Sequence, residues 1–249
     1  MDAGIRNIVF VLALSCFGGL FMWGLLGLAP VGEYPGPYGD ILNAISVPER
    51  HITDVVTAVN FDFRGFDTLG EEFIMFSSVM GVLVLLRHVP DGSGKRDQSR
   101  RRRVAPVSDA VRVLTVLLVG PVVLFGIYMV THGQISPGGG FQGGVILATA
   151  PLLVYLAGEF KKLTKIAPHQ VLEMGEAVGA AGYAVVGAVA LASELPFLQN
   201  VLPLGKAGDV FSGGTVVFID LTVGLEVAAG FVLLLMTFLE EEIQRKAPK

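Results

Sequence analysis

Carboxyl side chains inside apolar stretches are the residues of this sequence best suited to chemistry. Glu226 lies about ten residues into an apolar stretch and is surrounded by Leu, Thr, Val, Gly and Ala, and Asp220 lies nearer the start of the same stretch. In a helix with a rise of about 1.5 Å per residue, Glu226 would lie roughly 15 Å deep, near the midplane of a bilayer. A carboxylate at that depth costs on the order of 3 kcal/mol, so such acids usually face protein or water on proton or cation paths.

Two further groups of acids lie near the ends of apolar stretches. Glu173 and Glu176 are three residues apart and therefore share a helix face, where two carboxyl groups can share one proton. Alternatively, both reach the headgroup region at a helix N-terminus. Asp67, Glu71 and Glu72 begin another stretch. The first two are candidate path residues, and the alternative is a helix cap followed by first-turn acids.

A glycine-rich segment, HGQISPGGGFQGG, runs from His132 to Gly144. Three consecutive glycines are costly in a regular helix, so we predict a tight backbone turn at membrane depth. A nucleotide-binding loop is excluded because no Lys-Ser or Lys-Thr follows the glycines. The chain has four histidines without metal-site spacing. A loop hydrogen bond is therefore the expected role of His132, and proton transfer is the alternative.

The composition places these residues in a membrane protein. The chain has 249 residues, of which 52% are hydrophobic and 16% charged, and its mean hydropathy is +0.65. Because about 20 apolar residues cross a bilayer, the sequence predicts an all-α polytopic bundle of about six transmembrane helices. The predicted spans are Ile8 to Ala29, Leu69 to Leu86, Val111 to Val130, Phe141 to Phe160, Val171 to Ala192 and Val216 to Leu239.

Basic residues predict the orientation of the spans. Lys and Arg are retained on the cytoplasmic side, and with both termini cytoplasmic only Arg50, Arg64 and Lys206 of the 18 basic residues lie outside. A secretory signal peptide is the alternative for residues 1–29, but the apolar run is longer than a signal core. The single cysteine, Cys16, cannot form an internal disulfide or hold an iron–sulfur cluster, so no cofactor is expected.

The spans divide into two and four. Residues 1–88 hold two spans, residues 89–107 form a basic cytoplasmic linker, and residues 108–249 hold four spans. Arg100 to Arg103 in the linker are a topology signal or, alternatively, a contact for anionic lipid. Two unequal parts show no inverted repeat and no pair of broken helices around a central site, which disfavours a stand-alone transporter.

The first outer loop, Pro30 to Phe66, is long enough to carry a function of its own. Spacing places Ile52, Val55, Val56 and Val59 on one helix face. We expect this segment to lie along the membrane surface or in a groove between helices.

Two motifs resemble a known family. His132 to Gly144 resembles the signature of the MnhB/MrpB family, the B-type subunit of Mrp-type multisubunit Na+/H+ antiporters, and of the equivalent subunit of membrane-bound hydrogenases. Val56 to Glu71 resembles the C-terminal end of the large, A-type antiporter subunit. Gln134 departs from the family, which often has histidine there, and Glu226 matches no family position. Asp220 occupies a position where the last span of the MnhB/MrpB family commonly has aspartate. The other matching positions are Asp62, Arg64, Asp67, Glu71, His132, Pro137, Gly138, Gly139, Gly140, Phe141, Gly143 and Gly144.

The resemblance implies an accessory membrane subunit of a multisubunit cation/proton antiporter that helps form the ion path, and not an enzyme. Na+ and H+ would be transported, and no cofactor would be bound. The partners would be other membrane subunits of a hetero-oligomer and the lipid of a bacterial or archaeal cell membrane, and not nucleic acid. Two alternatives stay open: the same subunit in a redox-driven, complex-I-like ion pump, and a scaffold that transports nothing.

Overall fold

The structure is a computed structural model that describes residues 3–28, 32, 36–86, 107–157 and 160–245. The predicted linker, including Arg100 to Arg103, therefore lies outside the described residues except for Val107. The described part is helical and contains no strand. Its helices are α1 (Ala3–Leu26), α2 (Tyr38–Arg50), α3 (Val55–Ala58), α4 (Gly65–Leu85), α5 (Asp109–Thr131), α6 (Gly140–Leu156), α7 (Phe160–Ile166), α8 (His169–Ala192) and α9 (Val216–Arg245), with a π-helical turn at Val59–Phe63.

Five of these helices are long and apolar enough to cross a membrane, which supports the predicted polytopic bundle. They are Gly4–Leu26, Gly65–Leu85, Asp109–Thr131, His169–Ala192 and Val216–Leu239. The fourth predicted span, Phe141 to Phe160, corresponds to α6, a shorter apolar helix of 17 residues. At about 1.5 Å per residue, α6 is roughly 25 Å long, at the lower end of the range for a membrane-spanning helix.

The chain divides into two compact units, Met1–Ile41 and Leu42–Lys249. In the first, α1 is a continuous apolar helix of 24 residues whose described side chains are exposed. The second unit is a bundle with α9 at its centre, in contact with α4, α5, α6 and α8. The predicted division at residues 89–107 stays a prediction.

Small residues allow the other helices to approach α9 closely. A Cβ atom at Gly179 of α8 would lie 2.6 Å from Glu226 Cβ, and one at Gly144 of α6 would lie 2.7 Å from Val227 Cβ. In lipid, where apolar burial gives no driving force between helices, such close packing holds a bundle together. The glycines thus fix which faces of α6 and α8 meet α9.

Two irregular segments lie against each other at one end of the bundle. Residues 51–54 interrupt the chain between α2 and α3, and residues 132–139 interrupt it between α5 and α6. The backbone N–H groups of Thr53 and Asp54 both donate to Gln134 O, at 3.1 and 3.3 Å, and Thr53 Oγ1 donates to Ile135 O at 2.6 Å. Backbone and side-chain hydrogen bonds thus hold the two segments together.

The segment around Ile52 is clamped by protein. Ile52 is fully buried and contributes to a core with Ala58, Tyr183 and Val216. The expectation of one helix face was wrong for Ile52, because the helix begins only at Val55, and the four residues also differ in burial, with Val56 60% exposed. Of the two expected placements, the groove between helices is the one that the structure shows.

Candidate functional site

The deepest polar side chain of α9 is Glu226. It is fully buried, and its Cβ packs where Gly179 of α8 lacks a side chain. The substitution of Gly179 by any larger residue would displace the glutamate or the helix. The sequence of α8 therefore leaves room for a carboxyl group at the centre of the bundle.

Glu176 of α8 reaches the same helix one turn further along. Its Oε1 lies 3.3 Å from the position that a Cβ of Gly230 would take, and Val79 of α4 lies 3.4 Å from that position. Glu176 is 1% exposed. The glutamate thus lies where α4, α8 and α9 meet.

Glu72 supplies a third carboxyl group, from α4. It is 4% exposed and lies two helical turns before Val79 on the face that contacts α9. Glu226 interacts electrostatically with both Glu72 and Glu176. Three helices therefore each place one acid at their common contact, and we call Glu72, Glu176 and Glu226 the acid cluster.

The acid cluster has no basic partner within the described residues, where the ion pairs are Arg50 with Asp62 and Arg64 with Asp67. Both carboxyl oxygens of Glu226, Oε2 of Glu72 and Oε1 of Glu176 are buried without a hydrogen-bond partner in that part of the chain. An unpaired buried carboxylate is costly, whereas a protonated carboxyl group carries no charge. The arrangement therefore favours groups that take up and release protons.

The acids beside the cluster have a different environment. Glu71 and Glu173 are exposed, although each is close in sequence to a buried glutamate. Asp67 is also exposed and accepts a hydrogen bond from Arg64 Nε at 2.6 Å in the first turn of α4. Arg64 is the residue that precedes that helix, so Asp67 is not its cap. The structure does not bring Asp67, Glu71 or Glu173 into the buried group.

Asp220 lies at the glycine-rich motif. It is fully buried, and its Oδ1 accepts a hydrogen bond from the backbone N–H of Gly140 at 2.8 Å. A Cβ at Gly133 would lie 2.6 Å from Asp220 Oδ2, and one at Gly139 would lie 2.9 Å from Oδ1. Gly139 has φ +113°, which favours glycine. The carboxylate thus compensates the positive end of α6, and the glycines let it approach.

The remaining motif residues frame this contact. Gly143 packs on Val130 of α5, and Gly144 packs on Val227 of α9. Phe141 makes an edge-to-face contact with Phe231 at 6.2 Å between ring centroids, whereas Pro137 is exposed and Gly138 packs on Met129. The PGGGF sequence therefore joins α5, α6 and α9.

His132 and Gln134 have separate surroundings. The His132 ring stacks on Tyr128 at 4.1 Å between centroids, and its Nδ1 lies 3.0 Å from Tyr128 O. Gln134 is fully buried and donates from Nε2 to Val210 O and, at 3.2 Å, to Thr131 O. Gln134 stands where the resembled family often has a second histidine. Its side-chain amide instead holds the loop between α8 and α9 through Val210 O.

Asp62 forms an ion pair outside the spans. Its Oδ2 lies 2.6 Å from Arg50 Nε, and the Arg50 guanidinium lies 5.4 Å from the centroid of the Phe63 ring. Burial raises the pKa of the Asp62 carboxyl above its ordinary value, and the positive charge of Arg50 opposes that rise. The pair ties the end of α2 to the π-helical turn.

Two residues of the site were not predicted from the sequence. Glu72 was considered only as a first-turn acid, although Thr68, Leu69, Glu72 and Val79 follow one helical face and share its burial. Tyr183 is the second missed residue. It is fully buried, donates to Gly65 O at 2.8 Å and interacts electrostatically with both Glu72 and Asp220.

Comparison with known proteins finds a matching domain family for the larger part of the bundle. Residues 110–233 match the domain family described as related to the MnhB subunit of the Na+/H+ antiporter. An uncharacterized protein of Methanocaldococcus jannaschii is 28% identical over 90% of this chain and 88% of its own length. The B-type subunit of the Na+/H+ antiporter of Alkalihalophilus pseudofirmus is 35% identical over 25% of this chain and 41% of its own length.

Two solved structures share the fold. A chain of the membrane-bound sulfane sulfur reductase, an archaeal respiratory membrane complex, is 28% identical with a TM-score of 0.68, covering 94% of this chain and 98% of that one. A chain of the Mrp complex of Dietzia is 21% identical with a TM-score of 0.66, covering 95% of this chain and 26% of that one. Residues 110–233 thus belong to the MnhB-related domain family, in a multi-pass membrane protein related to the B-type subunit of multisubunit Na+/H+ antiporters.

Proposed function

We propose that this chain is an accessory membrane subunit of a multisubunit cation/proton antiporter and that its buried acids help form the ion path. The observation that carries the proposal is the acid cluster, which holds unpartnered carboxyl oxygens where α4, α8 and α9 meet. Acids at this depth are energetically costly, and those that proteins retain usually mark ion or proton paths. Na+ is the cation named for the B-type antiporter relative, and we propose Na+ and H+ as the exchanged ions here.

The partners would be other membrane subunits of the same assembly, in a bacterial or archaeal cell membrane. Large apolar side chains are exposed along α5, including Leu117 and Leu124. Exposed apolar surface of this kind faces lipid or a neighbouring protein chain. The whole antiport activity and these partners are proposals for this chain, which spans 41% of the B-type antiporter relative that it matches.

The proposal is tested by expression of the whole complex with and without this chain. Inverted membrane vesicles would be energised, and the release of protons on addition of Na+ or K+ would be followed with a pH-sensitive dye. We expect exchange only in vesicles that contain the chain. Isolation in mild detergent with mass spectrometry would identify the partners. A chain that purifies alone and exchanges ions in liposomes would contradict the accessory role.

A second candidate is the same subunit in a redox-driven ion pump. It is favoured by the likeness to a chain of the archaeal sulfane sulfur reductase complex, which covers almost the whole of both chains. The redox centres would then belong to partner subunits. Iron–sulfur subunits that co-purify with the chain, together with ion movement that depends on an electron donor, would identify this function. A scaffold would instead tolerate loss of every buried acid without loss of transport.

A further inference from the structure

We propose that Glu72, Glu226 and Glu176 form a relay that carries protons, and not the exchanged cation, through the middle of the membrane. The inference rests on the proposed function, because the relay would be the proton path of the proposed antiport. Its geometry rests on the order of the three side chains along the bundle. Glu72 completes the relay, because it lies on the side of Glu226 opposite to Glu176.

The order follows from two helices that run in the same direction. Val79 is 14 residues after the start of α4 and packs beside Gly230, which is 14 residues after the start of α9. Glu72 therefore lies about 10 Å from the common end and Glu226 about 15 Å from it. Glu176 faces Gly230, at about 21 Å. The three carboxyl groups thus follow one another in depth at intervals of about 5 Å.

A tyrosine and an aspartate continue the row towards the end where α4 and α9 begin. Tyr183 interacts electrostatically with Glu72 and with Asp220, and Asp220 interacts with Asp54. Asp54 is 7% exposed and caps α3 by accepting from Thr57 N at 3.1 Å. Ionisable groups therefore extend from the irregular segment at residues 51–54 to Glu176, in the half of α8 that is predicted to lie towards the cytoplasm.

The surroundings of the acids favour protons over a metal cation. Hard cations require several oxygen atoms around one point. No group of three His, Cys, Asp or Glu side chains in the described residues can hold a metal ion, and the acids come singly from three helices. Along α9, Glu226 is preceded one turn earlier by Val223 and followed directly by Val227, which supply no side-chain oxygen. A proton neutralises one carboxylate without further ligands.

Each step moves one proton and leaves the charge balanced. The O–H bond of one protonated glutamate breaks as an O–H bond forms on an adjacent water, and that water passes another of its protons to the next carboxylate. The first glutamate is left ionised and is then protonated from the preceding group. No oxidant, reductant or second substrate is consumed.

The chain contains matched controls for the experiment. Glu71 neighbours Glu72, and Glu173 lies one turn from Glu176, yet the first member of each pair is exposed and the second is buried. The substitutions E71Q, E72Q, E173Q and E176Q make the same chemical change. All four would be introduced into the whole complex, and native gels would be used to compare equal amounts of assembled complex.

Exchange would be measured in proteoliposomes with Na+ in one arm and K+ in the other. We expect E72Q and E176Q to lower the maximal rate of proton movement at least about tenfold, as loss of a proton-transfer group does. The cation concentration at half-maximal rate should stay within about twofold, because the cation does not bind these groups. E71Q and E173Q should retain the exchange rate. A raised half-saturation for either cation in E72Q or E176Q would overturn the proposal in favour of a cation ligand.

Infrared spectroscopy of the purified complex gives a readout independent of transport. Glutamate labelled with ¹³C at its carboxyl carbon shifts the carbonyl band of protonated side chains, and E72Q should remove one pH-dependent component that E71Q leaves. Equal bands in the two variants would contradict a protonated Glu72. If the complex exchanges no ions but the band behaves as expected, the antiport function fails and the proton-holding cluster stands.

Discussion

The backbone N–H of Gly140 donates to Oδ1 of Asp220 at 2.8 Å, across 80 residues of sequence. This bond joins the first residue of α6 to α9 in the fully buried part of the bundle. The first N–H groups of a helix lack partners within the helix, and a carboxylate near the positive end of the helix dipole is favourable. Asp220 therefore serves a structural purpose beside any role on the ion path.

Removal of the Asp220 acceptor should destabilise the bundle. We expect D220A to lower stability by about 1–3 kcal/mol, because a buried N–H loses its partner. D220N keeps an oxygen acceptor and should lose less. The check is thermal unfolding of the complex in detergent, with D209A at an exposed position as the control. Melting of D220A at the wild-type temperature would contradict this role.

The contact between α8 and α9 predicts a large difference between two glycines. A Cβ at Gly179 would lie 2.6 Å from Glu226 Cβ, whereas one at Gly175 would lie 3.3 Å from Ala229 Cβ. We expect G179A to force the helices apart and to reduce the amount of assembled complex severalfold. G175A should assemble nearly as well as the wild type, and G81A, which meets nothing within 4 Å, is a further control. Native gels of membrane extracts measure the outcome, and equal assembly of G179A and G175A would refute the predicted clash.

The Arg50–Asp62 pair predicts a dependence on pH. Burial raises the folded-state pKa of Asp62, and Arg50 opposes the rise, so R50M should raise that pKa further. A group with a raised folded pKa contributes its full stability below its ordinary pKa and loses it as the pH rises through the folded value. R50M should therefore be less stable than the wild type at neutral pH, and the difference should shrink as the pH falls towards about 4.

Melting temperatures of R50M and the wild type between pH 4 and pH 8 test this expectation. The double variant R50M/D62N should lose the difference in pH dependence, since the titrating group is gone. A gap between R50M and the wild type that stays constant over this range would assign the effect to the lost packing of Arg50 on Phe63 instead.

The spans and the burial of single acids could be predicted from the sequence. Hydropathy indicated an all-helical membrane bundle, and the depth of Glu226 within an apolar stretch indicated a residue that faces protein, as the structure shows. The glycine-rich motif also predicted a non-helical turn before α6, at which Gly139 has positive φ. These features depend on local composition, which a single sequence displays.

Features that depend on tertiary contacts could not be predicted. Glu71 and Glu72 differ only in which face of α4 they occupy, and that face is set by the contact with α9. The pairing of residues 51–54 with residues 132–139 is likewise made by backbone hydrogen bonds between distant segments. Such bonds leave little trace in side-chain pattern. The meeting of Gly140 with Asp220 has the same origin.

The proton-transfer role of Glu226 is the central claim, and the rate of Na+-driven proton release by the whole complex with E226Q tests it most directly. Glutamine keeps the size of the side chain and removes the titrating group. We expect E226Q to assemble normally and to lower the maximal rate at least about tenfold. The exposed control E194Q should retain the wild-type rate. Wild-type proton release by a fully assembled E226Q complex would contradict the account.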